Sequence, residues 1–354
     1  MKHHSAVLRV NLDIVGGELK SSLRLRRAAE SVNYAAKRFK KVVIVSHRGR
    51  PAGFDKKLSL RPVVAALSDA CGGKLVFVSS LDEKIIRGKT SGDGIYALEN
   101  IRFFEGEEKN DARLARFLGS LGNVFINDDF ATAHRKSASN VGILKYIPGL
   151  PGPVLSAEIK NLSRLVENPK RPFVAVIGGA KTEDKLDTIK RLLPIADKIL
   201  LGGGPGNAAL AAAGYDIGDS IGDGKSVPAL KRLMKSGKIT HPVDFRVDGR
   251  RILDIGPNTE ELYAGEIARA GTVVWAGPMG LFEKAKFSRG STAIAKSIAA
   301  SRAFSVAGGG ETSAVIMGLG LLDKISFVST GGGAMLEFLS GEKMPALEAL
   351  KINM

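Results

Sequence analysis

Phe173-Val-Ala-Val-Ile-Gly-Gly-Ala-Lys-Thr-Glu-Asp-Lys185 decides the fold. Five apolar residues stop at a Gly-Gly pair, and a charged, helix-forming stretch follows. A short apolar run with no polar alternation is the pattern of a strand buried on both faces, as in parallel sheets. The same grammar recurs downstream. Ile199–Leu201 runs into Gly202-Gly203-Gly204, and Val273–Trp275 leads to Gly277-Pro278-Met279-Gly280. Ser305–Ala307 runs into Gly308-Gly309-Gly310-Glu311-Thr312, and Phe327–Thr330 into Gly331-Gly332-Gly333. Strands pointing the same way would place all five turns on one edge, where open parallel sheets hold their ligands. Glycine lets backbone approach a ligand closely, and the free N–H groups of a helix start favour a phosphate. One such turn is an ordinary connector, whereas five together point to a phosphate site.

Outward from this stretch, strands are expected at Phe173–Ile177, Lys198–Leu200, Thr272–Trp275, Phe304–Val306 and Ile325–Val328. Helices are expected at Ser156–Glu167, Lys185–Leu193, Pro205–Ala213, Thr259–Ala270, Ser288–Ser301 and Glu311–Leu319. The first half repeats the alternation. Strands fall at Val7–Val10, Lys41–Val45, Leu75–Val78 and Val124–Ile126, and helices at Arg26–Phe39, Leu60–Ala70 and Asp111–Leu118. Between the halves, Tyr146–Val154 reads Y-I-P-G-L-P-G-P-V, rich in helix and strand breakers. The expected fold class is α/β: two facing three-layer α/β/α domains with mostly parallel sheets, joined by a hinge. Boundaries are set at 1–153 and 154–341, with a tail at 342–354 that packs back on the first domain.

Composition limits the function classes. With 354 residues, 44% hydrophobic and 25% charged, the chain has material for two cores. No apolar run is long enough for a membrane span, and the start has no apolar signal-peptide core. Cys71 is the single cysteine, so no intrachain disulfide forms, in keeping with a reducing cytoplasm. The five histidines show no metal-site spacing. The formal charge is +16. It is spread rather than gathered in a stripe, and aromatic–basic interleaving is missing, so a specific nucleic-acid partner is not expected. Residues 1–150 carry 26 Lys plus Arg against 15 Asp plus Glu, an excess of 11 cations suited to an anionic ligand. Neither G-x-x-x-x-G-K-[ST] nor a G-x-G-x-x-G after the first strand is present, which disfavours a Walker-type or nicotinamide enzyme. Lys181 and Lys185, spaced i and i+4 at a glycine-led helix start, would face the same way. Two cations there oppose the helix dipole unless an anion compensates.

Taken in order, the motifs closely resemble the phosphoglycerate kinase family over nearly the whole chain. They include Arg9-Val-Asn-Leu-Asp13, Ser46-His-Arg-Gly-Arg-Pro51, Leu98-Glu-Asn-Ile-Arg-Phe103 and Asn127-Asp-Asp-Phe-Ala-Thr-Ala-His-Arg135. The second half adds Gly178-Gly-Ala-Lys-Thr-Glu-Asp-Lys185, Asp254-Ile-Gly-Pro257, Trp275-Ala-Gly-Pro-Met-Gly-Leu-Phe-Glu283, Gly308-Gly-Gly-Glu-Thr312 and Ser329-Thr-Gly-Gly-Gly-Ala-Met-Leu-Glu-Phe338. The resemblance implies reversible phosphoryl transfer between 1,3-bisphosphoglycerate and ADP, giving 3-phosphoglycerate and ATP with Mg²⁺. It implies a cytoplasmic monomer with glycerate on the N-terminal domain and nucleotide on the C-terminal domain. Asn11, Asp13, Arg24, His47, Arg50, Arg102 and Arg135 would bind the glycerate. Arg24, Lys181, Lys185, Gly310 and Gly332 would serve the transfer itself. Gly179, Ala180, Lys181, Lys185, Gly203, Pro278, Glu283, Gly309, Gly310, Glu311 and Thr312 would hold the nucleotide. Glu311 would meet the metal directly or through water, the nucleotide phosphates being its main ligands. Guanidinium forks suit carboxylate and phosphate alike, and the cation excess of the first half agrees with that role.

The chain departs from the family pattern at five positions in particular. Asn11 and Asp13 exchange the usual acid and amide, Arg48 replaces a leucine, Ala276 an asparagine, and Glu311 an aspartate. Asp129 stands where alanine is common. The chain is also short between Val243 and Asp254. These changes bear on efficiency and metal geometry more than on the reaction class.

Overall fold

The computed structural model describes residues 3–14, 19, 22–222 and 224–352, and of His3 and Asp184 the backbone alone. The chain divides into two compact units. One comprises Met1–Lys160 with Lys343–Met354, the other Asn161–Glu342.

The first unit is built on a six-stranded, all-parallel sheet. Its strands are β1 (His3–Val10), β2 (Phe39–Val45), β3 (Leu75–Val78), β4 (Gly94–Leu98), β5 (Val124–Asp128) and β6 (Gly149–Pro151), in the order β3-β4-β2-β1-β5-β6. Successive side chains alternate between two cores. Ala6, Leu8 and Val10 with Val42 and Ile44 face α1 (Leu23–Arg38) and α2 (Arg61–Ala70). Val7, Val43 and Val45 face Ile86 of α3 (Glu83–Lys89) and Leu114, Phe117 and Leu118 of α4 (Ala112–Gly119). Burial on both faces is why these strands read as continuous apolar runs. Each fully buried Val, Ile or Leu is worth about 1.5–3 kcal/mol. The chain turns outward on both sides of β1, so the switch point of this sheet lies between β1 and β5.

A long helix, α5 (Pro153–Glu167), starts in the first unit and ends in the second. Its start is fixed by Asp128 at the end of β5, whose Oδ1 accepts the Leu155 N–H at 2.7 Å. Gly152 is required there, because a Cβ would lie 2.3 Å from the Asp128 carboxyl carbon.

The second unit repeats the plan. Its strands are β7 (Phe173–Ile177), β8 (Lys198–Leu201), β9 (Ile239–Thr240), the hairpin β10 (Phe245–Asp248) and β11 (Arg251–Ile255), then β12 (Thr272–Ala276), β13 (Phe304–Gly308) and β14 (Phe327–Ser329). The parallel sheet has the order β14-β13-β12-β7-β8-β9, and β10-β11 is a separate antiparallel pair. All five residues of β7 are buried. Its switch point lies between β7 and β12. The helices are α6 (Glu183–Leu192), α7 (Gly203–Ala212), α8 (Val227–Met234), α9 (Pro257–Arg269), α10 (Arg289–Ala300), α11 (Gly310–Gly318) and α12 (Gly332–Leu339). The last, α13 (Pro345–Ala349), lies in the first unit, where the Ala346 N–H donates to the Ala133 carbonyl at 3.0 Å.

The two mostly parallel α/β sheets are those expected from sequence. The helix expected at Lys185–Leu193 starts earlier, at Glu183 with Thr182 as its N-cap. Lys181 therefore precedes the helix and does not share its face with Lys185 by helical spacing. The helix expected from Pro205 begins inside the glycine run, at Gly203.

Candidate active site

In the first unit, the segments after β1, β2, β4 and β5 bring basic and acidic groups to the carboxyl edge of the sheet. After β1, Asn11 Oδ1 accepts the Asp13 N–H at 2.9 Å, and Asp13 Oδ1 accepts the Gly49 N–H at 2.8 Å. Arg24, in the first turn of α1, donates to the Asp13 carbonyl. Asp13 thereby ties α1 to the loop after β2. That loop carries His47, Arg48 and Arg50. Arg48 is spent on structure: its Nε donates to the Ile14 carbonyl at 3.1 Å and its Nη1 to the Ser59 carbonyl at 3.0 Å. Arg50 is exposed. After β4, the Arg102 guanidinium donates to the Gly49 carbonyl and lies 3.5 Å from Glu108. After β5, Arg135 donates to His134 Nε2 at 3.2 Å.

Behind these groups lies a buried network. Arg9 of β1 donates to Ser139 and, at 3.1 Å, to the Thr132 hydroxyl. It lies 3.3 Å from Asp129 and 3.7 Å from Glu107. Such a guanidinium is an internal brace, since losing one partner of a buried pair costs about 3–5 kcal/mol. His47 sits with Nδ1 3.7 Å from Asp129 and Nε2 3.8 Å from Asp13. Burial holds the His47 imidazolium well below its usual range. The positive charges of Arg9 and Arg102 act the same way, while Asp13 opposes them. Burial, with Arg135 next, also lowers Arg102. Burial and the mutual repulsion of these cations are the physical cause of both shifts.

In the second unit, the glycine turns after β7, β8, β12, β13 and β14 all lie at one carboxyl edge, as parallel strands require. They do not all serve the same end. The Gly179 N–H donates to the Pro278 carbonyl at 2.7 Å, and the Gly203 N–H to Met279 at 2.9 Å. The Gly204 N–H donates to the Gly179 carbonyl at 2.9 Å. The Gly277 N–H is taken by the Thr312 hydroxyl at 2.8 Å. A Cβ on Gly178 would lie 2.1 Å from the Pro278 carbonyl oxygen, and one on Gly277 2.3 Å from that of Gly178. Three of the turns therefore interlock backbone to backbone, and the start of α7 at Gly203 spends its N–H groups on neighbouring loops. At the starts of α11 and α12, a Cβ on Gly310 or Gly333 would meet nothing. Gly309 caps α11 with φ of 103°, a conformation for which glycine is suited. The starts of α11, at Gly310, and of α12, at Gly333, are thus open, whereas a Cβ on Gly332 would lie 3.0 Å from the Gly309 Cα, so Gly332 packs against the turn after β13.

Beside them is a cavity of about 280 Å³. Gly179, Ala180, Gly203, Pro278, Glu283 and Glu311 line it, and so do Ile221, Phe245, Ile252 and Leu281, which give it an apolar end. Asn207, Arg251 and Asp254 also line it, although no motif singled out Asn207 or Arg251. A point one Cβ away from Gly179 is 3.9 Å from both Lys185 Cε and Glu311 Oε2, so a cation and a carboxylate reach the same turn. Lys181 is exposed, just ahead of α6. The described residues contain no group of three or more His, Cys, Asp or Glu side chains arranged to hold a metal.

The phosphoglycerate kinase family profile matches residues 1–342. The phosphoglycerate kinase of Thermosipho africanus is 39% identical over 385 aligned positions, which cover 99% of this chain and 96% of that protein. That of Dictyoglomus turgidum is 38% identical over 371 positions, covering 96% and 93%. Among solved structures, phosphoglycerate kinase from Pyrococcus horikoshii superposes with a TM-score of 0.88 at 31% identity, covering 98% of this chain and 96% of that one. The Coxiella burnetii phosphoglycerate kinase does so with a TM-score of 0.79 at 35% identity and the same coverages. On the profile match over residues 1–342 and 39% identity along nearly the whole chain, the chain belongs to the phosphoglycerate kinase family.

Proposed function

We propose that the chain transfers a phosphoryl group reversibly between 1,3-bisphosphoglycerate and ADP, a kinase reaction of glycolysis that gives 3-phosphoglycerate and ATP. The observation that carries this reading is chemical asymmetry between the two sheet edges. One ends in guanidinium and imidazole groups, the other in open helix starts beside a partly apolar cavity. The first suits a small substrate with a carboxylate and a phosphate. The second suits a nucleotide, with phosphates at the N–H groups of α11 and α12 and the base against Phe245 and Ile252.

In this reading Asn11, Asp13, His47, Arg50, Arg102 and Arg135 bind the glycerate, and residues 1–153 act as its domain. Residues 154–341 hold the nucleotide through Gly179, Ala180, Pro278, Glu283, Gly309 and Thr312. Gly203 contributes as cavity wall. Direct in-line transfer needs both substrates at one reaction centre, so the two receptors must close on each other and exclude water. Arg24, Lys181 and Lys185 with the N–H groups at Gly310 and Gly332 then screen the migrating phosphoryl. No phosphoenzyme is needed.

The residues fit Mg²⁺ carried by the nucleotide rather than caged by protein: Glu311 Oε2 reaches the Gly179 turn, and the described residues hold no cluster of three or more His, Cys, Asp or Glu side chains arranged for a metal. Mg²⁺ bound this way supplies charge neutralisation on the phosphates, with Glu311 meeting it directly or through water. Among the described residues no helix is long and apolar enough to cross a membrane, and we assign a monomer working in the cytoplasm.

A coupled assay for ADP formation from ATP and 3-phosphoglycerate with Mg²⁺ tests the reading, with GTP in parallel. Arg24→Ala should cut kcat about 100-fold or more while nucleotide affinity stays within about twofold. Unchanged turnover would remove Arg24 from the reaction centre.

A further inference from the structure

Four buried polar atoms with no hydrogen-bond partner fall in one cluster behind the basic receptor: Arg9 Nε, His47 Nδ1, Asp129 Oδ1 and His134 Nδ1. Buried polar atoms are normally satisfied, so such a concentration calls for a physical reason. Asp129 is at its centre and is completely buried. Its Oδ2 accepts the Thr132 hydroxyl at 2.7 Å and lies 3.3 Å from Arg9 and 3.7 Å from His47 Nδ1.

We propose that Asp129 is a positioning residue for His47. It holds the ring with Nδ1 protonated and turned inward, so that Nε2 faces the anion site and takes up a proton from solvent when the anion binds.

The two carboxylates flanking the ring are not equivalent. Asp13, near Nε2, is partly exposed; its Oδ2 faces the ring and its Oδ1 accepts the Gly49 N–H. Water competes for its charge. Asp129, near Nδ1, is out of water; its Oδ2 faces the ring and is shared with Thr132 and Arg9, and its Oδ1 has no partner. A buried carboxylate attracts a nearby N–H more strongly than a hydrated one, because its field is less screened. The partner of one ring nitrogen fixes what the other can do.

Without ligand, every strong neighbour but the carboxylates opposes charging of the ring. Arg9 reaches it from β1, Arg24 from α1, Arg102 from the segment after β4, and Asp13 and Asp129 from the segments after β1 and β5. A bound carboxylate–phosphate anion neutralises Arg24 and Arg102, while Arg9 is already paired with Asp129 and Glu107. The balance then favours imidazolium, with Asp129 as fixed counter-ion at Nδ1 and the anion at Nε2. The tautomer stands on this geometry alone. Only the identity of the anion rests on the glycerate reading.

The test is ¹⁵N–¹H NMR of the histidine rings in the full-length protein, with His47→Gln to assign the signal. It is run without ligand and with saturating 3-phosphoglycerate. Free wild type should show a neutral Nδ1–H ring. Ligand should raise its titration midpoint by about one pH unit, a tenfold gain in proton affinity. Asp129→Asn, verified as folded by its melting curve, should lose the Nδ1–H preference and most of that rise. Its KM for 3-phosphoglycerate should increase about tenfold, the scale of losing an orienting partner, while KM for ATP stays unchanged. An Nε2–H ring in free wild type overturns the proposal whether or not the variant folds. So does binding with no rise in the midpoint, or a variant indistinguishable from wild type. If 3-phosphoglycerate perturbs no histidine and is not turned over, the glycerate reading fails, and the free-state tautomer still decides the role of Asp129.

Discussion

Asp254→Asn probes the wall of the second unit's cavity. Asp254 Oδ2 accepts the Gly290 N–H at 2.8 Å, at the start of α10, and Oδ1 accepts the Ile255 N–H at 3.0 Å. Two glycines make room for it: a Cβ on Gly280 or Gly290 would lie 2.4 or 2.3 Å from Oδ1. Arg246 stands 3.6 Å away. Burial raises the Asp254 carboxyl to about 6, outweighing the two N–H donors and Arg246, which pull it down. The unfolded carboxyl titrates near 3.8. Between these values the folded chain binds more protons than the unfolded one. The contribution of Asp254 is therefore fully present below about pH 4 and is lost as pH rises through about 6. Two pH units correspond to about 3 kcal/mol. Asparagine does not titrate, and its amide points N–H at the Gly290 N–H, a fixed cost of about 1–3 kcal/mol. The wild-type advantage over Asp254→Asn should thus shrink by about 3 kcal/mol from pH 4 to pH 7. Trp275, the single tryptophan, is buried in β12 of the same unit, so its fluorescence during urea unfolding reads this unit directly. A difference that stays flat across the window, or grows with pH, would show that the N–H donors and Arg246 outweigh burial.

The remaining predictions concern the second unit's turns. Gly277→Ala places a Cβ 2.3 Å from a backbone oxygen at φ of 93°, so it should destabilise the unit by about 2–4 kcal/mol in the same unfolding assay. Gly310→Ala meets nothing within 4 Å and should change stability by less than about 1 kcal/mol. Any effect it has should fall on nucleotide affinity, measured by titration calorimetry. Glu311→Gln should raise the Mg²⁺ concentration needed for half-maximal turnover about threefold or more, with KM for 3-phosphoglycerate unmoved. An unchanged Mg²⁺ requirement would take Glu311 out of the metal's surroundings.

Both sheets were legible because a strand buried on two faces leaves an uninterrupted apolar run, as at Phe173–Ile177 and Lys41–Val45. What escaped was short or assembled from tertiary contacts. β4 (Gly94–Leu98) follows Ser91-Gly92-Asp93, which reads as a loop, and β6 and β9 have three and two residues. The hairpin β10-β11 lies in the segment noted only for its shortness. α7 begins at Gly203 against glycine's poor helix propensity, because Met279 and Gly179 supply carbonyls to its first N–H groups. No local pattern encodes such partners.

What the glycines of the candidate site each do was not legible in the sequence. A glycine required by a ligand and a glycine required by another loop look the same in sequence. They separate only when a Cβ is placed on each. At Gly178, Gly202 and Gly277 the added atom would fall within 2.6 Å of protein, whereas at Gly310 and Gly333 it would stand in open space. The crowded glycines lock neighbouring turns together, and the open ones leave room beside the backbone at the starts of α11 and α12. In the first unit, likewise, Arg48 could have passed for another anion-binding guanidinium beside His47. The carbonyls of Ile14, Lys57 and Ser59 occupy it instead. An arginine whose donors are already spent on backbone holds a loop in place. Cationic residues in a motif therefore count toward the anion site only in proportion to the donors they still have free.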